Sequence, residues 1–247
     1  MTILFRTTQN GHRIAYQHQP GEGRGVLFCG GYRSSMESTK ATALADWCAA
    51  RSIPYTRFDY FAHGASDGEF IDYTIGAAIA DTLEIIDHIA AEQLIVVGSS
   101  MGSWVGMQAA IQRPMQVKAF VGIASAPDFT DRLMLKKFPP ALRKQLEDEG
   151  VVYLPDFDDN EYPVTMKFIT EARRHLMLDH PIPLSIPVQL IQGQRDDDVP
   201  WETSLHIAEK LTGDDVAITF VKDGDHRLNR PQDLALMLEA VVRQLAV

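Results

Sequence analysis

The stretch QLIVVGSSMGSW, residues 93–104, is an apolar run that ends abruptly at two adjacent serines between glycines. Residues 98–102 fit the pattern G-x-S-x-G, which requires a strand before it and a helix after it, and both are predicted here. A sharp strand-to-helix turn strains its central residue, and a side chain at either glycine would collide with neighbouring chain. The pattern therefore predicts Ser100 as the nucleophile and Ser99 as a packed neighbour; the alternative is a turn that merely joins two elements.

Strands and helices alternate along most of the chain. Buried strands are predicted at 25–31, 54–60, 93–98, 117–125, 186–193 and 216–222. This alternation indicates parallel βαβ units, hence an α/β fold with a doubly wound, mostly parallel sheet, opened by a hairpin at Asn10-Gly11. Residues 126–185 are too many for a plain loop, so we expect a helical lid insertion in a core made of 1–125 and 186–247.

A serine nucleophile needs a base, and the base needs an orienting acid. In this architecture they follow in the order serine, acid, histidine, each just after a strand. Of eight histidines, His226 follows the final predicted strand in a glycine-containing loop, which predicts it as the general base. Three aspartates at 196–198 compete as the acid. Asp196, three residues after Gly193, is favoured, while its neighbours are solvated or cap a helix.

An oxyanion hole should accompany the nucleophile. One donor is predicted to be the backbone N–H of Met101, directly after the serine, and the other that of Tyr32, where glycines let the backbone come close. Six residues are candidates for substrate contact, with core packing as the alternative for those in the insertion. They are Gly31, His63, Phe129, Leu133, Phe138 and Met166.

Composition narrows the remaining function classes. A net charge of −10 argues against a nucleic-acid partner, and no apolar run reaches the ~20 residues of a membrane span. Cys29 and Cys48 lie in apolar surroundings, which predicts reduced core residues. The sequence carries no metal-site motif, so neither a metal nor an organic cofactor is expected. Lacking a targeting segment, the chain is expected to be cytoplasmic.

These features together resemble the α/β-hydrolase superfamily across essentially the whole chain. Six motifs resemble one subgroup, which contains the mitochondrial palmitoyl-protein thioesterase also described as an acyl-glucuronide esterase. The motifs are GYRSSMESTKA at 31–41, RFDY at 57–60, SDG at 66–68, VGSSMGSW at 97–104, DDVPW at 197–201 and DHR at 225–227. The resemblance implies a triad of Ser100, Asp196 and His226 acting on acyl thioesters or activated acyl esters. Ala62 stands where many members have glycine.

The function expected from these residues is a serine hydrolase with a small-molecule or acyl-protein ester or thioester substrate. Because the fold supports many reactions, a peptidase, a C–C bond hydrolase and a non-catalytic ligand receptor stay open as alternatives.

Overall fold

The structure is a computed structural model that describes residues 2–89, 93–155 and 160–246. Ten strands are described: β1 Leu4–Thr7, β2 Arg13–Gln19, β3 Gly25–Cys29, β4 Tyr55–Phe58, β5 Leu94–Ser99, β6 Val117–Ile123, β7 Val151–Pro155, β8 Glu161–Thr165, β9 Val188–Gly193 and β10 Val216–Val221. The α-helices within these ranges are α1 Thr39–Ala49, α2 Ile75–Ile89, α3 Met101–Gln112, α4 Leu135–Lys137, α5 Pro140–Glu149, α6 Met166–Ala172, α7 Glu202–Lys210 and α8 Pro231–Leu245.

Eight strands form one sheet in the order β1-β2-β4-β3-β5-β6-β9-β10. The hairpin β1–β2 and the pair β2–β4 are antiparallel, and every later pair in the sheet is parallel. The predicted opening hairpin and mostly parallel sheet are therefore confirmed. The strand that precedes the glycine-flanked serines, β5, lies inside the sheet with parallel neighbours on both sides.

Helices cover both faces of this sheet. Alternate residues of β5 enter different cores: Val96 packs in the cluster that includes Trp104 of α3, and Val97 packs in the cluster that includes Leu44 of α1 and Met237 of α8. This alternation follows from the two-residue period of a strand, and continuous apolar character is what a strand buried on both faces requires. The doubly wound prediction is confirmed.

The segment between β6 and β9 contains helices, as expected, and also an antiparallel hairpin that the sequence analysis did not predict. The hairpin joins β7 and β8, with Val152 opposite Val164 and both side chains fully buried. Residues 156–159, which belong to an acidic stretch of the insertion, lie outside the described residues. The division into a core and an insertion at 126–185 stays a prediction.

Buried hydrogen bonds connect the two ends of segment 126–185 to each other and connect the segment to α3. The fully buried carboxylate of Asp128 accepts hydrogen bonds from the backbone N–H groups of Met177 and Leu178, both at 2.9 Å. The indole N–H of Trp104 donates to the carbonyl of His175 at 2.9 Å. The segment is therefore tied at both of its ends and against the helix that follows the serines.

Both cysteines are buried and free of disulfide bonds, as predicted. Cys29 belongs to the core on one face of the sheet and Cys48 to the core on the other. Within the described ranges, no helix is both long enough and apolar enough to cross a bilayer.

Candidate active site

The turn between β5 and α3 has the strained geometry that the glycine pattern predicts. Ser100 has φ 55° and ψ −120°, a conformation that residues with a Cβ rarely adopt. A Cβ at Gly98 would lie 2.5 Å from Ser103 Cα, and one at Gly102 would overlap the carbonyl oxygen of Cys29. The glycines are thus required by close backbone packing, and the turn lifts the serine to the start of a helix.

Three predicted residues meet above the carboxyl ends of the strands. Nε2 of His226 lies 3.1 Å from Oγ of Ser100, and Nδ1 of His226 lies 2.8 Å from Oδ2 of Asp196. A carboxylate only accepts hydrogen bonds, so Nδ1 carries the proton and the lone pair of Nε2 faces the hydroxyl. This arrangement can withdraw the serine proton when the oxygen attacks an electrophile.

The carboxylate of Asp196 is completely satisfied. Besides the imidazole, Oδ2 accepts from the side-chain amide of Gln192 at 2.9 Å, and Oδ1 accepts from the backbone N–H groups of Asp198 at 2.9 Å and Val199 at 2.8 Å. Burial, the largest influence, raises the pKa of Asp196, but the hydrogen bond and charge of His226 and the two N–H groups together outweigh it. The pKa therefore lies below its ordinary value, and the group is anionic.

The neighbouring acidic residues have other roles. Asp197 and Asp198 are exposed, and their carbonyls accept hydrogen bonds from the Lys137 ammonium of the insertion at 2.8 and 3.3 Å. Asp225 accepts from the backbone N–H of Leu228 at 2.9 Å, as a turn residue does. Of the three consecutive aspartates, Asp196 is the one whose carboxylate contacts the imidazole.

The predicted oxyanion donors lie beside the serine. Gly31, Tyr32 and Met101 share a cavity wall with Ser100, and a Cβ built on Gly31 would be 3.5 Å from Ser100 Cβ. Met101 is the first residue of α3, so its N–H has no acceptor within the helix. Its side chain is fully buried and accepts a hydrogen bond from the Tyr73 hydroxyl at 3.0 Å. Donation to an oxyanion stays a prediction for both N–H groups.

A cavity of about 750 Å³ opens above the serine and the imidazole. Its walls include four of the six predicted substrate contacts: Gly31, Phe129, Leu133 and Phe138. Among the described residues, His63 and Met166 do not line this cavity, and substrate contact stays a prediction for all six residues. His63 is only 4% exposed and turns inward, while Met166 begins α6 and packs against the core.

Sequence reasoning missed two supporting residues. Gln192 is fully buried near the end of β9, and a glutamine in a strand whose residues are all buried is the signal that could have revealed it, although Gln189 shares that signal. Lys40, only 8% exposed, reaches from α1 to donate to the carbonyl of Arg227 at 2.5 Å and to Oδ1 of Asn229 at 3.2 Å. Burial lowers the pKa of Lys40 to about 8, against nearby carboxylates that raise it. The contact holds the loop that carries His226.

A metal is not required to explain this constellation. Ligand atoms of Asp196, Asp198 and His226 lie within 4.8 Å of one another. A cation bound by all three would compete with the hydrogen bond between Nδ1 and the carboxylate. The existing donors and acceptors already account for the positions of Asp196 and His226.

Comparisons with known proteins identify the family of this chain. Residues 26–162 match the family described as alpha/beta hydrolase fold. The mitochondrial palmitoyl-protein thioesterase ABHD10 of Bos taurus is 36% identical over 242 residues, which cover 97% of this chain and 79% of the relative. The Homo sapiens protein of that name is 37% identical, with 92% and 75% covered. The structure of mouse alpha/beta hydrolase domain-containing protein 10 superposes with a TM-score of 0.91 at 33% identity, covering 100% of this chain and 99% of the other.

The cytoplasmic location expected from the sequence is wrong by this comparison, because these thioesterase relatives are named as mitochondrial. The resemblance drawn from the six motifs is confirmed over nearly the full length of the chain. The chain therefore belongs to the α/β-hydrolase family, in the subgroup of the palmitoyl-protein thioesterase ABHD10.

Proposed function

We propose that this protein is a serine hydrolase that cleaves acyl thioesters or activated acyl esters through an acyl-enzyme on Ser100. The observation that carries the proposal is the continuous relay from Ser100 through His226 to the buried carboxylate of Asp196, at the floor of an open cavity. Relatives that match most of the chain are named palmitoyl-protein thioesterases, which supports an acyl thioester as substrate.

The acylation step follows from the positions of the hydrogen-bonding groups. Ser100 Oγ attacks the acyl carbonyl while His226 Nε2 takes its proton, and Asp196 stabilises the imidazolium that results. The negative charge on the carbonyl oxygen is stabilised by the N–H groups of Tyr32 and Met101, each contributing ~3 kcal/mol to lowering the barrier. His226 then returns the proton to the leaving thiol or alcohol, and the acyl group stays on the serine.

Deacylation uses the same groups with water as the nucleophile. His226 removes a proton from the water, the acyl–enzyme bond breaks, and Ser100 recovers its proton. The products are a carboxylic acid and a free thiol or alcohol. Each step needs only side chains and N–H groups that the chain itself supplies.

The cavity supports an apolar acyl group. Phe129, Leu133 and Phe138 come from the insertion and line the wall beside the relay. The volume of about 750 Å³ lies within the ~300–1,000 Å³ usual for small-molecule sites. We propose that the acyl chain lies against this wall and that the leaving group departs along the polar side, which Ser34, Lys40 and other residues line.

A serine-directed fluorophosphonate probe tests the proposal. The parent and Ser99→Ala should be labelled, whereas Ser100→Ala should lose labelling and turnover while keeping its fold by circular dichroism. A ligand receptor on this scaffold would leave the parent unlabelled. Turnover of a thioester by Ser100→Ala at the parent rate would overturn the assignment.

Kinetics on matched substrates identify the bond that is cleaved. We expect kcat/KM for acyl thioesters and activated oxygen esters to exceed that for aminoacyl amides of the same acyl group, because thiols and activated alcohols are better leaving groups. A preference for the amides would favour a peptidase. A series of acyl chains of graded length would then measure how much of the cavity the acyl group occupies.

A further inference from the structure

His63, predicted to contact substrate, has a defined place behind the cavity wall. It follows β4, in a turn where Ala62 has φ 60° and so keeps the left-handed backbone for which glycine is more usual. The imidazole is 4% exposed and lies against the rings of Phe70 and Tyr73, with centroids 5.3 and 4.7 Å away. A buried histidine at this position needs a partner for each ring nitrogen.

Both partners are backbone groups. Nδ1 lies 3.1 Å from the carbonyl oxygen of Phe61, and Nε2 lies 3.1 Å from the backbone nitrogen of Arg33. A carbonyl can only accept and a backbone N–H can only donate, so Nδ1 carries the proton and Nε2 accepts. Burial lowers the pKa of His63 to about 4, which keeps the ring neutral and in this tautomer at neutral pH.

The N–H that His63 holds belongs to a strained turn beside the nucleophile. Ser34 N–H donates to the carbonyl of Gly31 at 3.1 Å, which makes Tyr32 and Arg33 the central residues. Arg33 has φ 60°, and positive φ at the second central position marks a type II turn, which glycine or asparagine ordinarily fills. Rotating the central peptide would give a type I turn that suits arginine better, but its N–H would then leave His63.

Two other residues that follow β4 form hydrogen bonds to the chain on either side of the Gly31–Ser34 turn. The hydroxyl of Tyr60 donates to the carbonyl of Gly30 at 3.3 Å, and Oδ1 of Asp59 accepts from the backbone N–H of Met36 at 2.6 Å. His63 is the member of this group that contacts the central peptide of the turn. The ends of the segment are thus fixed independently of the peptide that can rotate.

We propose that His63 is a positioning residue for the oxyanion hole: its Nε2 holds the N–H of Arg33 and so fixes the Gly31–Ser34 turn, whose first central residue, Tyr32, carries the N–H proposed to face the oxygen of the tetrahedral intermediate. The Tyr32 N–H lies in the adjoining Gly31–Tyr32 peptide, and it shifts when the strained turn relaxes after the Arg33 N–H has lost its acceptor. Since the oxyanion exists only in the reacting state, His63 acts on the transition state and little on substrate binding. This inference rests on the proposed acyl-enzyme function.

The test removes the Nε2 acceptor of His63 and keeps an aromatic ring at this position. His63→Phe should lower kcat by about 10- to 100-fold with KM changed less than about threefold, because an oxyanion-hole interaction is lost in the transition state. The affinity for a trifluoromethyl ketone, which forms a tetrahedral oxyanion on Ser100, should fall in parallel with kcat/KM. Tyr55→Phe is the matched control: it removes one buried hydrogen bond on β4, to the Ala41 carbonyl at 2.8 Å, and should leave kcat within about twofold.

The Arg33→Gly variant, used as a second background, distinguishes positioning of the turn by His63 from a general contribution of His63 to stability. Glycine adopts positive φ without strain, so in Arg33→Gly the turn no longer depends on the acceptor. The His63→Phe penalty on kcat should shrink to less than about threefold in that background, a coupling that a double-mutant cycle measures. If His63→Phe alone does not fold, the double variant still decides: it must fold and turn over within about threefold of the Arg33→Gly rate.

Unchanged kcat in His63→Phe, or an equal penalty in both backgrounds, would overturn this inference. Labelling of the parent by the fluorophosphonate probe, lost in Ser100→Ala, reports separately on the proposed function. An unlabelled parent would refute that function. A labelled, active parent with an unaffected His63→Phe would refute only the positioning role.

Discussion

Replacing Asp196 by asparagine tests the relay most directly, because each oxygen of this carboxylate faces two donors. Oδ2 accepts from Nδ1 of His226 and the amide of Gln192, and Oδ1 accepts from the N–H groups of Asp198 and Val199. Asparagine has one acceptor oxygen and one NH₂ donor of nearly the same shape. Whichever way the amide is oriented, its NH₂ group replaces an acceptor that now serves two donors.

The cost of each orientation decides the outcome. With NH₂ toward the loop, two backbone N–H groups lose their acceptor, at ~1–3 kcal/mol each where buried. With NH₂ toward the imidazole, His226 can respond by moving its proton to Nε2, so that only the Gln192 contact is lost. The second orientation is cheaper, and it leaves no lone pair facing Ser100. We therefore expect kcat to fall by about 10⁴-fold through the wrong tautomer, with stability reduced by only ~1–2 kcal/mol.

The assay is steady-state turnover of an acyl thioester, with urea unfolding of the same preparations. Asp197→Asn is the matched control, since that side chain is exposed, and it should keep the kcat and stability of the parent. An Asp196→Asn enzyme within tenfold of the parent kcat would refute the reasoning. So would an equal loss in both variants.

Three further outcomes are expected. Asp128→Ala should lower the free energy of unfolding by ~2–5 kcal/mol in urea, because two buried N–H groups lose a carboxylate acceptor, and should increase protease cleavage within the insertion. Trp104→Phe should cost ~1–3 kcal/mol in the same assay, since it removes packing volume and leaves the His175 carbonyl without the indole N–H. Because the pKa of Asp196 is lower in the folded state than its unfolded value of ~4, ionisation of this carboxyl stabilises the fold above pH ~4. This contribution is lost as the pH falls through the folded pKa. The difference in free energy of unfolding between the parent and Asp196→Asn, measured by urea titration, should therefore be smaller at pH 3 than at pH 7.

The nucleophile turn and its partners could be predicted because each is encoded locally. Two glycines around Ser100 report a close backbone approach that no other residue tolerates, and the structure shows the contacts that would otherwise clash. His226 and Asp196 each follow an apolar strand, so their positions came from strand order and the rule that parallel strands end at one edge. Local patterns were sufficient wherever backbone geometry fixed the residue type.

The remainder depends on contacts between distant segments. A histidine in a glycine-containing loop gave no sign that the His63 ring turns inward to meet Arg33, 30 residues earlier. Lys40 looks like an ordinary helical lysine until its ammonium is found against the Arg227 carbonyl, 187 residues away. The β7–β8 hairpin was not predicted because its inward-facing residues, Val152 and Val164, are buried by packing against the core, which the local sequence does not show.

The placement of the site across the sheet bears on how the enzyme would fail. Ser100 follows an interior strand, whereas His226 follows β10, which lies at the edge of the sheet. Of the described strands, β10 pairs with β9 alone, and most of its residues are half-exposed. Local unfolding of this edge strand would move His226 away from the site, while Ser100 kept its strained turn in the folded centre of the sheet. Inactivation by heat or denaturant should then precede the collapse of tryptophan fluorescence from Trp104, which is fully buried in the central core.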